Sequence, residues 1–177
     1  MSALPPFAAV IVAAGKGQRA GGEVPKQFAI WRGKPIVRQS VETMAKIGAK
    51  PIMVAIPAGD EALARQALAG IEGVQLVAGG ATRQQSVRAA LECLVDTSPA
   101  SVLIHDAARP VLPLQVLERL LSALGNQPGA IPVLPVVDSI AIAGGRLMAG
   151  TGDREKMRRV QTPQAFRYAD ILAAHRA

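Results

Sequence analysis

The sequence predicts an α/β fold built on a doubly wound, mostly parallel sheet, and three observations carry that expectation. Short apolar runs alternate with segments of helical periodicity along most of the chain. The runs are continuously apolar, as strands buried on both faces are, rather than alternating as in a sheet with one wet face. A group of glycines follows the first run directly, where the carboxyl end of a first strand would lie.

Each element can be placed in order. Ala8 to Val12 is the first strand. Ile36, Val37, Ser40, Val41, Met44 and Ile47 recur at spacings of three and four, which predicts an amphipathic helix ending near Gly48. Pro51 to Ile56 is the second strand, Asp60 stands as the cap of a helix reaching Leu68, and Gln75 to Val77 is the third strand. Arg83 to Val95 reads as a helix, Val102 to Ile104 as the fourth strand, and Leu114 to Leu124 as another helix. Ala130 to Val137 is a strand interrupted by proline. The rhythm then changes. Ser139 to Ala143, Gly144-Gly145 and Arg146 to Met148 form a hairpin pattern, so a β-hairpin arm over about 138–159 is expected to leave a Rossmann-like body. A helical pattern from Tyr168 closes the chain.

The 177 residues suit one domain over 1–177. Cys93 is the sole cysteine, which excludes a disulfide framework and a zinc-ligand set and suits a reducing cytoplasm. Phe7 to Ala14 has no basic residue before it and runs into Gly15-Lys16, so it reads as a buried strand and not a signal peptide. No apolar run approaches membrane-spanning length. The net charge of +7 leaves nucleic acid, a membrane surface or small anions as partners, and the placement of the charges has to decide.

The loop after the first strand holds Gly15, Gly17, Gly21 and Gly22 together with Lys16, Arg19 and Lys26. Gly15 to Ala20 formally fits the dinucleotide pattern G-x-G-x-x-A. The helix that pattern requires is blocked by Gly21-Gly22 and Pro25, and Asp60 and Glu61 come too late to hold a ribose. A Walker A loop is excluded because no G-K-[ST] follows at the required spacing. A loop that wraps an oligophosphate fits better: glycines let backbone N–H groups approach closely, while lysine and arginine neutralise charge.

Three further stretches bear on the ligand. Gly79 to Val87 is a glycine pair followed by a polar helix start, which ordinary capping by Thr82 also explains. His105-Asp106-Ala107-Ala108-Arg109-Pro110 ends the fourth strand with an acid and a base; Asp106 there can serve a metal or a hydroxylated ligand, or only cap a turn. Arg154, Lys156, Arg158 and Arg159 form a second basic group, equally explained by a charged surface element.

Taken in order, A-A-G-x-G-x-R…P-K-Q, G-G-x-x-R-x-x-S-V, H-D-A-A-R-P, P-V-x-D-[ST], D-R and T-P-Q resemble the 2-C-methyl-D-erythritol 4-phosphate cytidylyltransferase family of the non-mevalonate isoprenoid pathway. The resemblance runs from Ala13 to about Phe166 and implies a nucleotidyltransferase-type fold. It implies that Arg19, Lys26 and Arg154 are catalytic, the first two at the α-phosphate of CTP. Ala13, Ala14, Gly15, Gly17, Gly80, Ala81, Arg83 and Ser86 would bind the nucleotide. Asp106, Arg109, Ser139 and Thr162 would bind the sugar phosphate alongside Arg154. Ala81 and Ser139 stand where some members carry Asp and Thr. Magnesium, or another divalent cation, is expected mainly on the CTP phosphates and not on protein ligands.

The resemblance also implies a homodimer whose arm reaches the partner's site; a cytoplasmic location and no nucleic-acid or membrane partner are expected from the cysteine usage, the apolar runs and the aromatics. Members usually continue for some further fifty residues, with a T-D-[DE] segment and a later lysine. A fragment, or one part of a bifunctional protein that also makes the cyclodiphosphate, is therefore expected. His105 is expected to hold its neighbouring loop, and Cys93 to pack inside. A pentitol-phosphate cytidylyltransferase and a basic nucleic-acid-binding domain are the alternatives. The aromatics are too few and too scattered for single-strand stacking.

Overall fold

The computed structural model describes residues 5–15, 25–125 and 127–177. The elements in chain order are β1 (Phe7–Val12), β2 (Ile30–Trp31), β3 (Lys34–Pro35), α1 (Ile36–Lys46), β4 (Ile52–Ile56), α2 (Glu61–Ala67), β5 (Val74–Ala78) and α3 (Arg83–Glu92). There follow β6 (Ser101–Asp106), α4 (Leu114–Leu124), β7 (Gly129–Ala130), β8 (Val133–Pro135), β9 (Ala141–Gly144), β10 (Leu147–Thr151), β11 (Arg158–Val160), β12 (Gln164–Arg167) and α5 (Tyr168–Arg176).

Continuous apolar sequence gives strands covered on both faces. Phe7, Ala9 and Ile11 of β1 join Ile52, Val54 and Ile56 of β4 in one buried cluster with α1, α2 and α4. Ala8 and Val10 point the other way, into a second cluster with Met53, Val102, Ile104, α3 and α5. Leu117, Leu120, Leu121 and Leu124 of α4 are all buried, and each contributes roughly 1.5–3 kcal/mol. The result is helix, sheet and helix in three layers.

The sheet runs β5-β4-β1-β6-β12-β7. The first four are mutually parallel, and β12 is antiparallel to β6 with Gln164 opposite Ile104. Chain order proceeds outward from β1 through β4 to β5, then returns across α3 to β6 on the other side of β1. The switch point therefore lies between the carboxyl ends of β1 and β6, where open α/β sheets bind ligands.

Several expectations need correction. Asp60 precedes α2 but its side chain makes no capping bond; Glu61 instead accepts from Gly59 N–H at 3.3 Å. The helix expected over Arg83–Val95 ends at Glu92, and Cys93 is exposed, not packed inside. The expected strand at Ala130–Val137 divides: β7 stays in the sheet, while β8 leaves it to pair with β11. The arm is thus longer than the hairpin expected at 138–159. β8 and β11 form its stem and β9–β10 its tip, Leu147 pairing with Gly144. No helix among the described residues is long and apolar enough to cross a membrane.

Candidate functional site

The loops at the switch point stay in register beyond the strand ends. Ala13 N–H donates to Ala55 O at 2.8 Å, Ala107 N–H to Val12 O at 3.0 Å, and Gly79 N–H to Ile56 O at 2.8 Å. Buried Ser40 of α1 donates to Ala107 O at 3.1 Å and fixes the turn after β6 from below. A cleft of about 370 Å³ opens above, lined by Val12–Gly15, Lys26, Gln27, Gly80–Arg83, Ser86, Asp106 and Ala108.

One wall is the loop from β5 into α3. Thr82 and Gln85 close a reciprocal capping box, which starts the helix inside the wall. The hydroxyl of buried Ser86 accepts from Gly80 N–H at 3.1 Å and donates to Thr82 O at 2.9 Å. Ser86 therefore shapes the loop. Gly79 is obligatory: a Cβ there would stand 2.2 Å from the Ala14 Cβ. The two glycine-bearing walls touch because neither carries bulk at that contact.

The opposite wall carries Lys26, exposed, in a single 3-10 turn over Lys26–Phe28. Among the described residues no acid lies within ion-pair distance of Lys26. Buried Gln27 donates from Nε2 to Gly15 O at 3.2 Å and joins this turn to the end of β1. Gly17 and Arg19 lie outside the described residues.

The floor is the end of β6. Asp106 accepts from Arg83 Nε at 2.9 Å on Oδ1 and faces Arg109 Nε at 3.6 Å on Oδ2. Its backbone N–H donates to Thr162 Oγ1 at 3.3 Å. Thr162 Oγ1 lies 3.1 Å from Nδ1 of fully buried His105, whose Nε2 lies 3.0 Å from Arg109 O. Arg109 also donates to Gln161 Oε1. Burial pushes the His105 imidazole down to about 4, opposed by its bond to Arg109 O. It is a neutral brace, as expected for a residue that holds its loop.

The structure thus gathers Ala13, Ala14, Gly15, Lys26, Gly80, Ala81, Arg83, Ser86 and Asp106 around one cleft, and attaches Arg109 and Thr162 to its floor. It does not bring Ser139 or Arg154 there. Ser139 is exposed between β8 and β9, and Arg154 Nη1 donates to Val137 O at 3.1 Å, in a separate groove with Pro135, Val136, Glu155 and Arg158. Gln27 and Ala108 stand inside the P-K-Q and H-D-A-A-R-P motifs but were given no binding role from sequence, and Gln161, just before T-P-Q, lay outside every motif.

Comparison with known proteins identifies the family. Residues 7–177 match the family model described as 2-C-methyl-D-erythritol 4-phosphate cytidylyltransferase. A bifunctional enzyme IspD/IspF of Erythrobacter litoralis is 64% identical over 99% of this chain and 46% of its own length. A 2-C-methyl-D-erythritol 4-phosphate cytidylyltransferase of Cereibacter sphaeroides is 47% identical over 96% of this chain and 76% of its own. The crystal structure of the enzyme of that name from Thermus thermophilus superposes with a TM-score of 0.77 at 33% identity, over 97% of this chain and 75% of that one. The chain spans about half the length of the bifunctional relatives it matches, 46% and 44% for two of them. Motif order, sheet topology and these matches together establish that the chain belongs to the 2-C-methyl-D-erythritol 4-phosphate cytidylyltransferase family.

Proposed function

We propose that the protein is an enzyme that joins CTP to 2-C-methyl-D-erythritol 4-phosphate, giving 4-diphosphocytidyl-2-C-methyl-D-erythritol and pyrophosphate. The observation that carries this reading is the cleft itself. Three distant segments meet at one switch point: a strand end entering a glycine loop, a lysine with no described acid partner, and a capped helix start facing an aspartate.

The chemistry suits these residues. The nucleophile is a phosphate monoester with a second pKa near 6, so it is largely a dianion at neutral pH and needs no general base. His105 is neutral, buried and hydrogen-bonded at both ring nitrogens, so it has no part in proton transfer. The reaction requires two polyanions to be held together while charge grows on the α-phosphate oxygens; positioning and fixed positive charge meet that need. Lys26 supplies charge from one wall, with Arg19 assigned the same task from the family resemblance. The glycines that follow β1 are assigned the backbone N–H donors, from their place in the sequence. Asp106 and Arg109 would receive the sugar phosphate, with Thr162 and His105 holding them in place.

Magnesium fits here only as a passenger. Among the described residues no three His, Cys, Asp or Glu side chains come together, and Asp106 is already engaged by two arginines. A divalent cation would therefore be held by the nucleotide phosphates, where it offsets their charge.

We further propose a cytoplasmic homodimer formed through the arm, with neither nucleic acid nor membrane as a partner. The arm supports the dimer: Val133, Leu134, Ile142, Leu147, Met148 and Val160 are all exposed on strands that, among the described residues, pair only with one another. Such ladders are marginal alone and gain from a partner surface.

The test is pyrophosphate release by the full-length protein with CTP and the sugar phosphate, with the product identified by mass. CTP should be preferred strongly over UTP, ATP and GTP, because a pocket built for cytosine leaves buried groups unsatisfied with another base. Equal turnover with UTP, or retention on heparin without turnover, would overturn the reading.

A further inference from the structure

We infer that Arg83 is a positioning residue that locks the Asp106 carboxylate and so couples the nucleotide wall of the cleft to the sugar-phosphate floor. The inference rests on the functional reading above and goes beyond it. Arg83 opens α3, directly after the Gly80–Thr82 loop, while Asp106 ends β6 on the far side of the switch point. The two are 23 residues apart in sequence, and Arg83 Nε meets Asp106 Oδ1 at 2.9 Å.

The pair is half-exposed, with side-chain exposures of 47% and 30%, so it adds little to stability. What it does is fix direction. Arg83 on Oδ1 and Arg109 on Oδ2 set the plane of the carboxylate, and the Thr162 hydroxyl anchors the same residue's backbone. An ionised carboxylate offers about four lone-pair sites, so each oxygen keeps acceptor capacity for a substrate hydroxyl. A nucleotide seated against Gly80–Ser86 would hold the Arg83 backbone, and through its side chain the acceptor for the second substrate. A lysine could neutralise Asp106 but not orient it, lacking the planar fork.

The experiment is steady-state kinetics on the full-length protein, varying each substrate separately, for wild type, Arg83→Gln, Arg83→Lys, Asp106→Asn and the Arg83→Gln/Asp106→Asn double variant. Wild type is run first with the second substrate it accepts. Arg83→Gln should raise KM for the sugar phosphate about tenfold or more and leave KM for CTP within about threefold, with Arg83→Lys rescuing only in part. In the double variant, kcat/KM for the sugar phosphate should fall within about threefold of Asp106→Asn alone, because the arginine acts through the acid. A tenfold rise in KM for CTP with the sugar phosphate unaffected would overturn this inference alone and make Arg83 a direct nucleotide contact. So would a double variant whose losses multiply. A wild type that accepts no second substrate would overturn the functional reading and this inference with it.

Discussion

Nδ1 of His105 lies 3.1 Å from Oγ1 of Thr162, joining residues 57 positions apart at the root of the cleft. The threonine hydroxyl accepts Asp106 N–H, so its own proton is free for Nδ1, and the remaining ring N–H, on Nε2, donates to Arg109 O. The network assigns a neutral imidazole protonated on Nε2. Its surroundings act in both directions: burial lowers its pKa to about 4 with small help from Arg109 and Arg83, while the Arg109 carbonyl and Asp106 oppose.

The first prediction follows from linkage. An unfolded histidine titrates near 6.5, so between about 6.5 and 4 the unfolded chain binds the extra proton and the native one does not. The contribution of His105 is therefore present above 6.5 and lost as pH falls toward 4, a change of about 3 kcal/mol. His175 is also lowered by burial and adds in the same direction. Glu42 and Glu92, lowered by hydrogen bonds from Lys34 and Arg176, lose their contributions only at more acid pH. Urea midpoints from pH 7 to 4.5 should fall in wild type and fall less in His105→Gln. Nitrogen NMR should show a neutral ring at pH 5.5; a protonated one would contradict the assignment.

The second prediction concerns Lys26. The side chain is exposed and has no ion-pair partner among the described residues, so its removal costs the fold little. If it stabilises charge at the α-phosphate, Lys26→Ala should lose about 10²–10³ in kcat with an almost unchanged melting temperature. Near-normal turnover would remove it from the catalytic set.

Much of this site was legible because strand ends announce themselves. β1, β4, β6, α1 and α4 follow from apolar runs and three-four spacing, and their order puts the glycine loop at the carboxyl end of β1; the switch point itself needs the sheet order. What was not legible depends on long-range pairing. β12 is four residues, Gln164–Arg167, whose strand conformation is imposed by β6 beside it. β8 and β11 exist only as partners across the arm. Cys93 was misplaced because α3 stops one residue earlier, and a cap residue need not share the buried helix face. The motif residues Asp106 and Arg83 were visible singly; their contact was not.

The third prediction tests the contact between the two glycine-bearing walls. Gly79→Ala places a methyl 2.2 Å from the Ala14 Cβ and 3.0 Å from the Ser86 hydroxyl. Overpacking of this kind costs about 1–3 kcal/mol, and here it would also push the walls apart. CTP binding by thermal shift should weaken markedly. Adding Ala14→Gly removes the worst clash but not those with Ser86 and Ile56 O, so it should restore binding in part. No restoration would mean that the loss arises elsewhere.

The last prediction concerns where Arg154 acts. Its guanidinium bonds to Val137 O within the arm, and it does not line the cleft of its own chain. The arm strands expose apolar residues on ladders that, among the described residues, pair only with each other, which is the condition a two-fold partner would relieve. If the arm serves the partner's cleft, Lys26 and Arg154 of one chain belong to different sites. Full-length Lys26→Ala and Arg154→Ala should each be inactive alone. Mixed under conditions that exchange subunits, half the dimers pair one variant with the other. In each such dimer one site takes its lysine from the Arg154→Ala subunit and its arginine from the Lys26→Ala subunit, and is intact. About one quarter of wild-type activity should then return. If Arg154 instead serves its own subunit, every site in the mixture carries a lesion and no activity returns.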